Sequence, residues 1–139
     1  MSHYTSIKTQ IKDIGILENT CRDFGIDSLL RHTKARGYGS QSIECDYCIR
    51  WEGSPYDVAV VRQQDGTYSL TGDFYQGHIA QKFGHPQGKT EMELNLGRLL
   101  QAYAKHTVLQ QASQNNLGLL SQENTDDGRV ILRLMAYSS

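Results

Sequence analysis

Cys45 and Cys48 stand in the stretch Glu44-Cys45-Asp46-Tyr47-Cys48-Ile49-Arg50-Trp51, at the C-x-x-C spacing shared by dithiol redox centres and zinc knuckles. A redox pair works because the first turn of a helix brings both sulfurs together and lowers the thiolate pKa. Here Tyr47, Ile49 and Trp51 argue for extended chain. In a strand, residues three apart point to opposite faces with their Cα atoms about 10 Å apart, beyond the roughly 7 Å that a disulfide spans. The expectation is Cys45 as a small core hydrophobe and Cys48 as a partly exposed thiol. A zinc site would need two more ligands from Cys21, His32, His78 or His85, yet there is no second C-x-x-C, no H-x-x-x-H and no glycine after Cys48. A metal or redox role for Cys45 and Cys48 therefore stands as an alternative, and no cofactor is expected.

Other residues with chemical potential are dispersed. His78 and His85 lie seven residues apart in a segment rich in Gly, His, Gln and Lys, where they could bind a partner or titrate near neutral pH. Arg31-His32-Thr33-Lys34-Ala35-Arg36-Gly37-Tyr38-Gly39 combines cations, an aromatic ring and glycines, the ingredients for phosphate contact and base stacking on single-stranded RNA. Arg31, Lys34, Arg36 and Tyr38 are the candidate nucleic-acid residues. There is no G-x-S-x-G, no H-E-x-x-H and no Walker sequence, so nothing favours an enzyme and no catalytic residue is assigned.

The elements that must position these groups can be read from patterning. The chain has 139 residues, 38% of them apolar, enough for one core and one domain over residues 1–139. Fourteen basic and fifteen acidic side chains give a formal charge of −1, which removes any whole-molecule attraction to nucleic acid or anionic membrane. No window resembles a secretory signal or a membrane span, and three cysteines suggest reduced thiols, so a soluble protein of a cytoplasm or plastid stroma is expected.

Residues His3 to Ile11 alternate as a half-buried strand, with Tyr4, Lys8 and Gln10 on the open face. Asp13 caps a short helix, Ile14 to Phe24, ended by Gly25. Ser28 to Lys34 suggests a second strand. Ile43, Cys45, Tyr47, Ile49 and Trp51 alternate with Glu44, Asp46, Cys48 and Arg50, predicting a long half-buried strand. Tyr56 to Val61 and Tyr68 to Phe74 form a hairpin about Asp65-Gly66, a pair that accepts positive φ. Gln76 to Lys89 reads as an irregular excursion. Thr90 and Glu93 suggest a capping box for a long helix, Glu91 to Asn115, with Leu96, Leu99, Leu100, Tyr103, Thr107 and Val108 as its buried stripe. Leu119 to Glu123 and Arg129 to Met135 close the chain as a hairpin about Asn124 to Gly128, with Val130, Leu132 and Leu134 inward. The fold class is α+β: an antiparallel sheet of five to seven strands with one long and one short helix packed on one face.

The opening Met1 to Ile11, the segment Tyr56-Asp57-Val58-Ala59-Val60-Val61 with Asp65-Gly66 and Tyr68, and Gln101-Ala102-Tyr103-Ala104-Lys105-His106 with Gly118 and Asp127 to Leu134 are similar to segments of a small family of cyanobacteria and algal plastid genomes. This is the hypothetical chloroplast reading frame thirty-five family, a domain of unknown function. The likeness spans most of the chain. Family members carry a tryptophan-rich segment after the central hairpin, where this chain has Gln76 to Lys89 without tryptophan. The resemblance implies an association with oxygenic phototrophs or their phages, no assigned reaction, and assembly or accessory work in a photosynthetic or ATPase-linked complex. The leading expectation is a non-catalytic protein-interaction module, docking through Tyr4, Lys8, Gln10, Cys48 and Arg50, with His78 and His85 in a second contact loop.

Overall fold

The computed structural model describes residues 4–39, 41–126 and 129–136, together with the backbone but not the side chain of Gln76. The expectations that touch His3, Ser40, Asp127 and Gly128 lie outside the described residues. In chain order the elements are β1 (Tyr4–Lys8), α1 (Ile14–Arg22), β2 (Leu30–Arg31), β3 (Ala35–Arg36), β4 (Ser42–Ile43), β5 (Tyr47–Ile49), β6 (Val58–Arg62), β7 (Tyr68–Asp73), α2 (His78–Phe83), α3 (Glu91–Gln114), β8 (Leu117–Asn124) and β9 (Val130–Ala136).

Local chemistry explains most boundaries. The Asp13 carboxylate accepts the Ile16 N–H and starts α1, and Gly25 at φ 79° ends the turn that follows it. Thr90 Oγ1 accepts the Glu93 N–H at 3.1 Å to start α3, while the Glu93 carboxylate accepts the Lys89 N–H. Between β6 and β7, Gly66 takes φ 86° and Asp65 Oδ1 accepts both the backbone and hydroxyl hydrogens of Thr67. That turn fixes the register Val60↔Leu70 and Val58↔Gly72.

The main sheet has five strands in the order β1-β7-β6-β5-β2, and every pairing is antiparallel. One face, carrying Ile49, Val58, Val60, Tyr68 and Leu70, packs on all three helices through Leu17, Cys21, Ile79, Phe83, Leu96 and Leu99. Fully buried aliphatic side chains of this kind each contribute about 1.5–3 kcal/mol. Phe83 meets Phe24 and Trp51 edge-on, each at 5.1 Å between centroids. On the other face Ala35, Cys48 and Ala59 form a second, small-residue cluster beneath the β3–β4 ribbon.

Three expectations require correction. The predicted long strand through residues 43–51 is broken at 44–46, leaving β4 and β5 as separate pieces. The second strand is Leu30–Arg31 alone, and Ala35–Arg36 pairs instead with Ser42–Ile43. Residues 78–83 form a third helix, introduced by Gly77 at φ 74° and stopped at Gly84, whose backbone lies against Leu94 O. The closing hairpin forms as expected, β8 pairing with β9; among the described residues it joins no other strand and lies as a two-stranded ribbon against α3.

Candidate functional site

The break at 44–46 decides the fate of the two thiols. Asp46 N–H donates to Val60 O, across from Tyr47, and the Asp46 carboxylate accepts the Arg62 N–H, so the chain bends before β5 begins. The bend shifts the alternation, and Cys45 and Cys48 pack against the same small cluster instead of pointing to opposite faces. Cys48 is completely buried, while Cys45 is half-buried and donates its S–H to Thr33 O. This reverses the expected exposure and removes Cys48 from any docking surface. Burial pushes the Cys48 thiol up to about 12, with the Asp57 charge adding to it; burial also raises Cys45. Both are free thiols. Among the described residues no three His, Cys, Asp or Glu side chains gather as a metal site would need.

Arg50, expected on the open face, is half-buried and committed to Asp57. The Asp57 side chain has no exposed surface and accepts from Arg50 Nε and Nη2, from Arg36 Nε and Nη2, and from the Arg36 backbone N–H at 2.8 Å. Burial alone would raise this carboxyl, but the hydrogen bonds from Arg36 and Arg50 outweigh it and hold the group below the ordinary carboxylate range. Arg36 Nη2 also reaches Ser54 O. The clasp ties β3 and the loop before β6 to the end of β5.

The remaining cations of the basic loop are also engaged within the chain. Lys34 pairs with Glu44 at 3.1 Å, and Arg31 lies over the Tyr47 ring, 5.2 Å from its centroid. Tyr38 meets Tyr75 edge-on, and its backbone N–H donates to the buried Asp73. Tyr4, placed on the open face by its pattern, lays its ring over Gly37, where any side chain would collide with it. Its hydroxyl is buried and is pushed up by burial and by Asp73. His78 opens α2 against the Tyr56 ring, and His85 sits before α3, its Nδ1 accepting the Gln87 N–H. The two histidines are thus built into different surroundings.

Lys8 and Gln10 remain exposed, and both line an apolar groove. Among the described residues β1 pairs only with β7, so its other side is a free sheet edge there. Beside its end, residues 8–11 and α3 enclose a groove of about 560 Å³ lined by Ile11, Met92, Leu100, Tyr103, Ala104 and Val108 among others. Tyr103 Oη accepts the N–H groups of Lys12 and Asp13 and so fixes the distance between the two walls. Patterning alone assigns Leu100 and Val108 to the buried stripe of α3. The core closes over Leu96, Leu99 and Tyr103 only, leaving Leu100 half-buried and Val108 39% exposed. The apolar stripe is wider than the core can cover, and that excess width was the signal for the groove. Asp57 and Asp73 were missed because nothing local marks a carboxylate whose partners lie far along the chain.

The chain belongs to a family of proteins of unknown function, DUF1257, whose model matches residues 20–133. It is 25% identical over 137 residues to the uncharacterized protein ycf35 of Guillardia theta, spanning 99% of this chain and 98% of that protein. The resemblance seen in the sequence is thereby borne out. No solved structure matches the chain.

Proposed function

We propose that this DUF1257 protein is a non-catalytic interaction module, working as one domain in a cytoplasm or plastid stroma, that holds an extended segment of a protein partner along β1 and in the groove beside α3. The observation that carries the reading is the juxtaposition of a free strand edge with an apolar channel of about 560 Å³. An added strand gains main-chain hydrogen bonds from such an edge, and its alternate side chains fill the adjoining channel. Lys8 at the rim has no ion-pair partner among the described residues, so a carboxylate next to apolar anchors suits the partner segment. Assembly or accessory work in a photosynthetic or ATPase-linked complex is the context the family resemblance suggests. RNA binding through Arg31, Lys34, Arg36 and Tyr38 has weaker support, because those side chains already serve Tyr47, Glu44, Asp57 and Tyr75. Metal or redox work by Cys45 and Cys48 is disfavoured by the raised thiols.

The test is site-specific photo-crosslinking from position 104 in the full chain, in extract of the source cells, with the crosslinked peptides sequenced. The expected product joins residue 104 to an extended apolar segment bearing a carboxylate, and Met92→Asp or Val108→Asp, at exposed groove positions, abolishes capture without moving the unfolding midpoint. A partner retained undiminished by both variants would overturn the reading.

A further inference from the structure

On the other side of α3 lies a polar cleft that the docking groove does not use. Arg98, Gln101, Ala102 and Lys105 recur at helical spacing on one face of α3, and they face the turn end of the β8–β9 ribbon across a cavity of about 350 Å³. The ribbon contributes Arg129 and Val130, and His85 closes the end. A second space of about 230 Å³ shares His85, Gln101 and Arg129 with the first and lies next to it.

The charge in this cleft is unlike that of the whole molecule. Three cations, Arg98, Lys105 and Arg129, line it in a chain of formal charge −1. Two carboxylates also face it, and both are engaged: Asp23 Oδ2 lies 2.7 Å from His106 Nε2, and Glu93 Oε2 accepts the Lys89 N–H at 2.7 Å. Arg98 is anchored by donating Nη2 to Lys82 O and by lying 5.5 Å from the centroid of the Phe24 ring, which holds its guanidinium in place. Lys105 has no hydrogen-bond or ion-pair partner among the described residues. His85 Nδ1 accepts the Gln87 N–H at 3.0 Å, which leaves Nε2 as the nitrogen that carries hydrogen. The ribbon turn is pinned by reciprocal bonds between Thr125 and Arg129.

From this arrangement we infer that the cleft between α3 and the β8–β9 ribbon binds a small phosphate-bearing molecule. Its oxyanion meets Lys105, Arg98 and Arg129, and its carbon skeleton rests on Ala102 and Val130. Cations delivered from two separate elements surround an oxyanion from more than one direction, and charge-assisted hydrogen bonds of this kind are among the strong ones. A volume of about 350 Å³ falls in the range of small-molecule sites.

Calorimetric titration of the full chain with pyrophosphate tests the site, with citrate as a parallel arm and ionic strength held constant. Saturable one-to-one binding is expected, weakened at least about tenfold by Lys105→Gln or Arg129→Gln, since each removes one charge-assisted contact. Lys34→Gln removes an equal charge from a residue already paired with Glu44, away from the cleft lining, and should leave binding unchanged. Absence of saturable binding, or equal weakening by Lys34→Gln, overturns the site. Tighter binding of citrate than of pyrophosphate overturns the phosphate assignment in favour of a polycarboxylate.

Discussion

Arg36 holds Asp57 twice, once through its backbone N–H at 2.8 Å and once through its guanidinium at 2.9–3.0 Å, while the Asp57 N–H returns a bond to Arg36 O. The strand β3 is only two residues long and cannot stay seated on its ladder bonds alone. Its attachment to the main sheet is therefore electrostatic as much as hydrophobic. The two guanidiniums keep partial contact with water, 44% and 33% exposed for Arg36 and Arg50, while the carboxylate has none.

Asp57→Asn is expected to cost about 2–3 kcal/mol, because an amide cannot accept from every donor that now converges on the carboxylate. The hydration left to the arginines keeps the cost below that of a pair buried on both sides. Urea unfolding measures it, and a change under about 0.5 kcal/mol would show that the clasp does not hold the fold.

The same group sets a pH dependence. Its folded-state pKa lies below its unfolded value of about 3.9, so the unfolded chain binds more protons in the window beneath that value. The stabilisation is present above about pH 4 and is lost as pH falls toward the folded pKa. Wild type and Asp57→Asn should therefore differ most at neutral pH and converge below about pH 4. A gap that stays constant down to pH 2 contradicts this.

Thiol reactivity reports the broken strand. Burial pushes both Cys21 and Cys48 up to about 12, whereas Cys45 is half-buried and its sulfur is partly reachable. Native protein treated with iodoacetamide near pH 8 should lose Cys45 first, with all three modified in concentrated guanidinium chloride, as read by peptide mass spectrometry. Equal rates at Cys45 and Cys48 would mean that the two thiols are not placed as described.

Gly84 and Gly25 separate two kinds of glycine requirement. A methyl on Gly84 would overlap Leu94 O and lie 2.6 Å from Ala80 O, both backbone atoms, so Gly84→Ala must push α2 and α3 apart at a cost of about 2 kcal/mol or more. At Gly25 the space is open and only the positive φ of 79° resists, so Gly25→Ala should cost about 1 kcal/mol. Thermal unfolding of the two variants gives the order directly; the reverse order would place the constraint in backbone conformation instead of in packing.

Legibility in the sequence followed the range of the interactions involved. Asp13, Thr90 and Asp65-Gly66 act on neighbours within three residues, and the elements they start or turn are where patterning puts them. The bend at 44–46 depends on Val60 and Arg62, and the pairing of Ala35–Arg36 depends on Asp57; these partners are far along the chain and leave no periodic trace. α2 was hidden because six residues between two glycines carry too little periodicity to stand out. The groove was half legible: α3 displayed its apolar stripe, but only packing shows which part of it the core leaves uncovered.

The pairing of Tyr4 with Asp73 has a consequence for synthesis. β1 lies against a strand made some seventy positions later, so it cannot take its place in the sheet until β7 has emerged and paired with β6. Closing so long a loop is slow relative to forming the hairpin it waits for. The newborn chain thus carries β1 unseated until β7 is made, and the step that seats it is also the step that creates the ledge on which a partner would rest.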